Sequence, residues 1–436
     1  MGWVISISLL LFVMGSAARA DTHYVAPPGV GVNPSNNYTN WNIAATSIFE
    51  AVGVTAPGDT VLVSNGTYYL TNQINITNIT IKSWRAGALD RDGTVVNGNY
   101  PVVTNRCFYV NHANALIEGL TITNGYRRSG SSEDGGGGVF MYAGTLRNCL
   151  VTGNWVTNGA GIPGGPGVYA IGVNCMITNC DIIANRGYKT VGGGLTLDSR
   201  AQAWNCRIMF NNMEIDNTTG GNMGAGVFMN RGAFYGTLLC NSLIISNAGV
   251  STIGMGAGGG VSMHYGSILR NCLVMGNSVT TPAHASEFGG GVNVYSYSNE
   301  VANCTVVGNT SATGSGLFLN STTTNTTRIL NSIIYSNSAG NVYQNSCKGL
   351  FVSCCTSSTN GLDGYGNITN LPVLADYASG SYRLASDSPC INRGQNQSWM
   401  NGALDLDNHA RIDGFSGMVD MGCYEYILQG MIIRIR

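Results

Sequence analysis

Apolar residues recur at every second position in short runs along this chain, and two kinds of run alternate from residue 138 to residue 337. One kind opens on glycine: Gly138-Val139-Phe140-Met141, then Gly167-Val168-Tyr169-Ala170, Gly194-Leu195-Thr196-Leu197, Gly226-Val227-Phe228-Met229, Gly260-Val261-Ser262-Met263, Gly291-Val292-Asn293-Val294 and Gly316-Leu317-Phe318-Leu319. The other kind is a nine-residue segment: Leu146 to Asn154, Ile177 to Asn185, Ala203 to Asn211, Leu239 to Asn247, Leu269 to Asn277, Val301 to Asn309 and Ile329 to Asn337. These segments align without gaps. Their third residue is always Asn (Asn148, Asn179, Asn205, Asn241, Asn271, Asn303, Asn331), and so is their ninth (Asn154, Asn185, Asn211, Asn247, Asn277, Asn309, Asn337). The sixth is Val or Ile, and the fourth is Cys149, Cys180, Cys206, Ser242, Cys272, Cys304 or Ser332.

Period-two alternation predicts strands. A unit of two short strands and polar turns cannot bury its own apolar face, so copies must stack. The pattern therefore predicts an all-β chain, a right-handed parallel β-helix whose seven repeats rise roughly 34 Å at about 4.8 Å per rung. Glycine density and the missing 3.6-residue period exclude a helical solenoid. Asn tolerates the left-handed backbone of turns, and its amide can bond the same amide one coil up. Cys alternates with Ser in its column, so a small steric slot is expected, filled by free buried thiols.

The ends read differently. Met1 to Ala20 has a short apolar run and the small-residue pattern Ala18-Arg19-Ala20 of a signal peptide. The expected divisions are 1–20 signal peptide, 21–58 N-terminal cap, 59–360 β-helix and 361–436 C-terminal cap domain. Beyond the signal no run is apolar and long enough to span a bilayer. The 436 residues carry a net charge of -1, with 10% charged residues and only Lys82, Lys189 and Lys348 as lysines. No basic stripe exists to neutralise phosphates, so nucleic acid is not an expected partner. No CxxC pair with matching His spacing supports zinc.

The segments His23-Tyr24-Val25-Ala26, Ile48 to Val52 and Pro57-Gly58-Asp59-Thr60-Val61 resemble the opening of secreted right-handed β-helix proteins, polysaccharide lyases among them. That resemblance implies a helix capping the first coil. Leu371-Pro372-Val373-Leu374, Ser388-Pro389-Cys390-Ile391-Asn392-Arg393-Gly394, Asp405-Leu406-Asp407 and Val419-Asp420-Met421-Gly422-Cys423-Tyr424-Glu425 resemble the choice-of-anchor Q domain of bacterial surface proteins. The implied location is secreted or on a bacterial cell surface. Only Tyr426 to Arg436 follows the domain, too short for a membrane-spanning sorting signal.

Candidate chemistry lies outside the Asn columns. The outward positions Phe140, Tyr169, Thr196, Phe228, Ser262, Asn293 and Phe318 are expected to stack on an outer face, with Tyr142, Asp198, Asn230, His264, Tyr295 and Asn320 beside them. Rings and amides at rung spacing suit a linear polysaccharide or cell-surface glycan. Lyase chemistry needs a base and a cation, and Lys189, Asp198, Arg200, Arg231 and His264 are the candidates. No opposed carboxylate pair suggests a glycosidase. No cofactor is expected beyond weak Ca²⁺ binding at Asp405, Asp407 and Asp413. Cys390 and Cys423, off the ladder, are the disulfide candidate, while Cys107, Cys347, Cys354 and Cys355 have no assigned partner. The leading expectation is a non-catalytic polysaccharide-binding or adhesin rod; the alternative is a uronate lyase working by β-elimination.

Overall fold

A computed structural model describes residues 20–427 except 30–33, 36, 86, 130–133, 159–163, 217–223, 230–235, 254–255, 281–286, 296–297, 321–326, 346–347 and 377–379. The signal segment, Asn230, Arg231 and Cys347 lie outside the described residues. The chain is a right-handed parallel β-helix of about 8 turns, nearly all β.

Corners of such a coil need residues in the left-handed region. The first Asn column supplies one corner: φ is 54° at Asn148, Asn179 and Asn205, 49° at Asn241, 52° at Asn271, 50° at Asn303 and 48° at Asn331. Gly119 (φ 67°) and Ser353 (φ 52°) hold the same corner in the flanking coils. Five positions on, a second left-handed residue makes the next corner, from Gly153 (φ 64°) and Ala184 (φ 55°) to Ser336 (φ 53°).

The second Asn column follows that corner and points inward. From Asn154 to Asn309 it is at most 1% exposed. Asn154 Nδ2 donates to Asn185 Oδ1 (3.0 Å) and to the Ile122 carbonyl (3.0 Å), while the Asn154 backbone N–H donates to the same Oδ1 (3.1 Å). The pattern repeats through Asn185, Asn211, Asn247, Asn277 and Asn309. It ends where Asn337 Nδ2 meets Asn341 Oδ1 (3.1 Å) and Asn341 turns to Ser357 Oγ (2.7 Å). The amide ladder expected of both columns is therefore continuous in this one.

The recurring glycine is tied to that ladder. A Cβ on Gly194 would lie 2.6 Å from Asn211 Nδ2, and one on Gly316 2.7 Å from Asn337 Nδ2. Space beside the amide, not backbone conformation, excludes a side chain there. The glycine strands stack in parallel register, Val139 with Val168, then Leu195, Val227, Val261, Val292, Leu317 and Val342. A second face, Cys175–Thr178 to Leu350–Val352, leads through the first Asn corner to an 11-stranded face running from Gly66–Tyr69 to Cys355–Thr356. Short lateral strands, Tyr126–Ser129 to Ser278–Thr280, close the coil before each glycine run. Inward aliphatics and Cys149, Cys180, Cys206, Cys272 and Cys304 form one core. These thiols are free and buried and donate to strand carbonyls; Ser242 and Ser332 do the same through Oγ at 2.8 Å.

At the N-terminus, Ser47 and Glu50 form a capping box for a helix over Ile48–Val52. Its Ile48 and Ala51 are buried in the core against Thr22–Val25 and Thr60–Val63. At the other end, Asp363–Tyr365 still pairs with Leu350–Val352, so the coil runs past residue 360. The following segment contains one antiparallel pair, Leu374–Asp376 with Ser381–Leu384. It packs along the flank of the 11-stranded face, against Ile333, Cys355, Leu273 and Val307. Asn271, Asn303 and Asn331 donate to the carbonyls of Leu404 (2.9 Å), Asp420 (3.2 Å) and Gln395 (2.9 Å). Arg411 is fully buried and bonds Asn271 Oδ1 (3.1 Å), the Gly422 carbonyl (3.0 Å) and Glu425 (2.9 Å). The first Asn column thus turns the chain and also docks the C-terminal segment.

Replacing Asn247 by Ala removes the acceptor of the Asn211 backbone N–H and of one Asn211 Nδ2 hydrogen in the interior and is expected to cost about 3 kcal/mol. Asn179→Gly, at an exposed left-handed corner, is expected to be near neutral; denaturant unfolding of the two variants checks the contrast. Arg411→Met strands the Glu425 carboxyl and is expected to cost about 3–5 kcal/mol, read as rapid proteolysis within residues 374–427.

Candidate functional site

The expected outer column is not an open surface. Phe140, Tyr169, Thr196, Phe228, Ser262, Asn293 and Phe318 are each at most 3% exposed. The glycine-rich stretch before each strand folds back over them. A Cβ on Gly164 would meet the Tyr169 ring at 2.3 Å, and the Val191 carbonyl accepts from Thr196 Oγ1 (2.9 Å). Val191, Met213, Ala225 and Phe228 form a small second core outside the sheet. Bare glycine backbone lies flat on a ring where a side chain would hold it away, which the alternation pattern does not reveal.

The catalytic candidates are spread along the coil. Lys189 follows the lateral strand Arg186–Tyr188 and stands 5.5 Å from the Tyr188 ring centroid. Asp198 ends the strand Leu195–Asp198, is 6% exposed, and accepts from the Ser199 N–H (2.6 Å); Arg200 lies in the turn beyond, exposed. His264 is two rungs from Asp198 and packed between Phe228 (4.9 Å) and Tyr295 (5.0 Å), with Ser262 Oγ 3.3 Å from Nε2. Burial pulls the imidazole down to about 3, so it is neutral near pH 7.

Asp405 and Asp407 come together with His409, their ligand atoms within 4.8 Å of one another; Asp413 is not part of that group. Asp405 accepts from the N–H groups of Asp407, His409 and Glu425, and Asp407 takes the Arg383 guanidinium bidentately. Its oxygens already serve the loop. Asp413 accepts from the N–H groups of Phe415 and Ser416. Cys390 and Cys423 are both free and sit in different clusters, Cys390 with Cys355, Leu384 and Met421, Cys423 with Leu273 and Tyr424. No disulfide joins them, because the segment threads them onto different rungs.

The outer column does open at its N-terminal end. A cleft of about 530 Å³ is lined by Asn72, Gln73, Asn105, Arg106, Tyr109, Arg127, Asp134, Phe140 and Tyr142. Asn75, Tyr109 and Phe140 are register partners on successive coils. The Tyr109 and Phe140 rings stack at 5.8 Å, and Tyr142 meets Phe140 edge-on at 4.9 Å. Arg106 is 5% exposed, its guanidinium carbon 4.8 Å from the Phe140 centroid. Arg106 and Arg127 converge on Asp134 at 2.6 Å each, and Arg127 adds a second bond at 2.9 Å. Two guanidiniums against one carboxylate leave a net positive site. The Arg106 Nε is buried with no partner. Burial and the Arg127 charge lower Arg106 to about 10, so it is cationic at neutral pH. Phe140 and Tyr142 were legible as outer-column residues. The arginines were not, because Arg106 and Arg127 precede the first repeat copy at Gly138, where no period marks them.

No protein-family model and no curated protein matches the chain. A solved structure does: the crystal structure of pectate lyase Pel9A, at TM-score 0.51 and 17% identity, over 93% of this chain and 97% of that one. The likeness is one of fold, the parallel β-helix.

Because the folded His264 holds its proton less tightly than the unfolded residue (ordinary value 6.5), the unfolded chain binds more protons between about pH 3 and 6.5. Stability therefore falls as pH drops through that window, by at most about 4 kcal/mol from this residue. Thermal midpoints of wild type and His264→Gln between about pH 7 and 4 are expected to converge on acidification, the variant having the flatter profile.

Proposed function

We propose that this protein is a polysaccharide-binding β-helix that takes an acidic glycan in the Arg106–Arg127 cleft and does not cleave it. The observation that carries the reading is Arg106, a buried cation with an unpartnered Nε beside stacked aromatic rings. A guanidinium pairs a sugar carboxylate with directional bonds, and ring faces accept sugar C–H groups. Asn72, Gln73 and Asn105 add amides suited to hydroxyls. Binding is favoured over elimination because Asp134, the carboxylate of the cleft, is held by both arginines, and neither Lys nor His lines it among the described residues. Ca²⁺ is not required in this reading. Export by residues 1–20 and display or release through a choice-of-anchor-like segment accompany it, placing the protein outside the cell as a glycan binder or adhesin.

The test is retention on immobilised polygalacturonate and alginate against neutral xylan. Wild type is expected to retain the acidic glycans, with Arg106→Met weakening binding at least tenfold, since a charge-assisted pair contributes about 1.5–3 kcal/mol. Equal retention of xylan, or no retention of any acidic glycan, overturns the proposal. Release of unsaturated uronate, detected by ultraviolet absorbance and abolished by Lys189→Ala, overturns the non-catalytic part.

A further inference from the structure

We propose that Cys355 and Cys390 are an oxidisable thiol pair, forming a disulfide that clasps the C-terminal segment to the last coil of the β-helix. The inference does not rest on the glycan reading.

The two cysteines come from separate parts of the fold and meet at the surface between them. Cys355 begins the last strand of the 11-stranded face, Cys355–Thr356, in register with Ile333. That register continues through Thr305. These are outward positions, and all three meet the C-terminal segment: the Cys423 N–H donates to Thr305 Oγ1 (3.1 Å), while Ile333 and Cys355 share a buried cluster with Leu384, Cys390 and Met421. Cys354, one residue earlier, faces the interior and belongs to the core. Cys355 and Cys390 are both 0% exposed. Their side chains lie in the same buried cluster, and the Cys355 thiol donates to the Asn370 carbonyl at 3.2 Å. Cys390 is held in place by the Met421 N–H, which donates to its carbonyl (3.0 Å). Cys423, the other thiol of the segment, packs beside Leu273, Val307 and Tyr424 and does not compete.

The column thiols Cys149, Cys180, Cys272 and Cys304 lie inside the coil. An oxidant reaches them only if rungs separate. Cys355 and Cys390 are exposed by undocking of the segment alone, which is held on Asn271, Asn303 and Asn331 by side-chain hydrogen bonds. Burial raises both the barrier and the reward. The docked thiols are sealed from solvent and out of an oxidant's reach, whereas a bond made while the segment is open closes a loop between residues 355 and 390 and disfavours reopening.

The chemistry uses a small-molecule disulfide such as oxidised glutathione. The Cys390 thiolate attacks one of its sulfurs, forming a mixed disulfide and releasing one thiolate. The Cys355 thiolate then attacks the Cys390 sulfur, forming the protein S–S bond and releasing the second. Two protein thiols lose two electrons, one small disulfide gains them, and the two protons pass to the released thiolates.

The experiment treats the full chain with oxidised glutathione in urea just sufficient to undock the segment, removes the urea, alkylates residual thiols and maps tryptic peptides without reduction. The expected product joins the peptides 349–383 and 384–393, two hydrogens lighter than their sum. It persists in Cys354→Ser and Cys423→Ser and disappears in Cys355→Ser and Cys390→Ser. Oxidation is also expected to slow proteolysis of the C-terminal segment at least tenfold. Recovery of wild-type Cys390 fully alkylated, or joined to Cys423 or Cys347, overturns the proposal without recourse to any variant, and loss of the joined peptides in Cys354→Ser with their survival in Cys355→Ser overturns it as well.

Discussion

The buried relay of asparagine amides from Asn154 to Asn337 is the interaction on which the remaining architecture depends. A parallel coil that turns sharply strands backbone donors and acceptors at its corner, and unpaired buried groups are expensive. Each amide here satisfies a carbonyl one coil before it and accepts from a neighbouring rung. That closes the accounting at the corner without water. It also constrains the next element, since no side chain fits beside the amide and every glycine strand must open on glycine. With almost no charge available, the column is held by this polar axis and the stacked aliphatic core around it.

The two Asn columns do different work. One is selected for inward hydrogen bonding, the other for left-handed backbone, with its amide left over. In the coils of Asn271, Asn303 and Asn331 that amide is used to hold the C-terminal segment, and these residues are 0% exposed. In the coils of Asn179 and Asn205 it faces solvent. The same residue type, in the same conformation, thus serves as corner or docking point according to what covers it.

The stacked core, the free thiol column and both Asn columns could be read from spacing, because each has a period that only stacking explains; the helix over Ile48–Val52 followed from the resemblance of the opening segments. The covering of the outer column could not. Alternation tells which side of a strand Phe228 or Thr196 occupies, but not that a glycine-rich loop returns over that side. The Arg106–Arg127 cleft was equally hidden. It combines residues from coils with long aperiodic insertions, and its polarity depends on a shared carboxylate, Asp134, that is unremarkable in the sequence. Cys390 and Cys423 share one segment of the chain, but threading along the rungs puts them in different clusters.

The amide relay also has a direction. Every Nδ2 in it reaches toward the following coil, so one end of the column always presents an acceptor and the other a donor. The first is met by the Gly125 N–H on Asn154 Oδ1 (2.9 Å), the last by Asn341. A coil duplicated before the rungs that hold the C-terminal segment arrives with its own acceptor and donor and leaves both terminations unchanged. Length can therefore change by whole coils through gene duplication, without redesign of the corner, while the sites at the two extremities keep their neighbours.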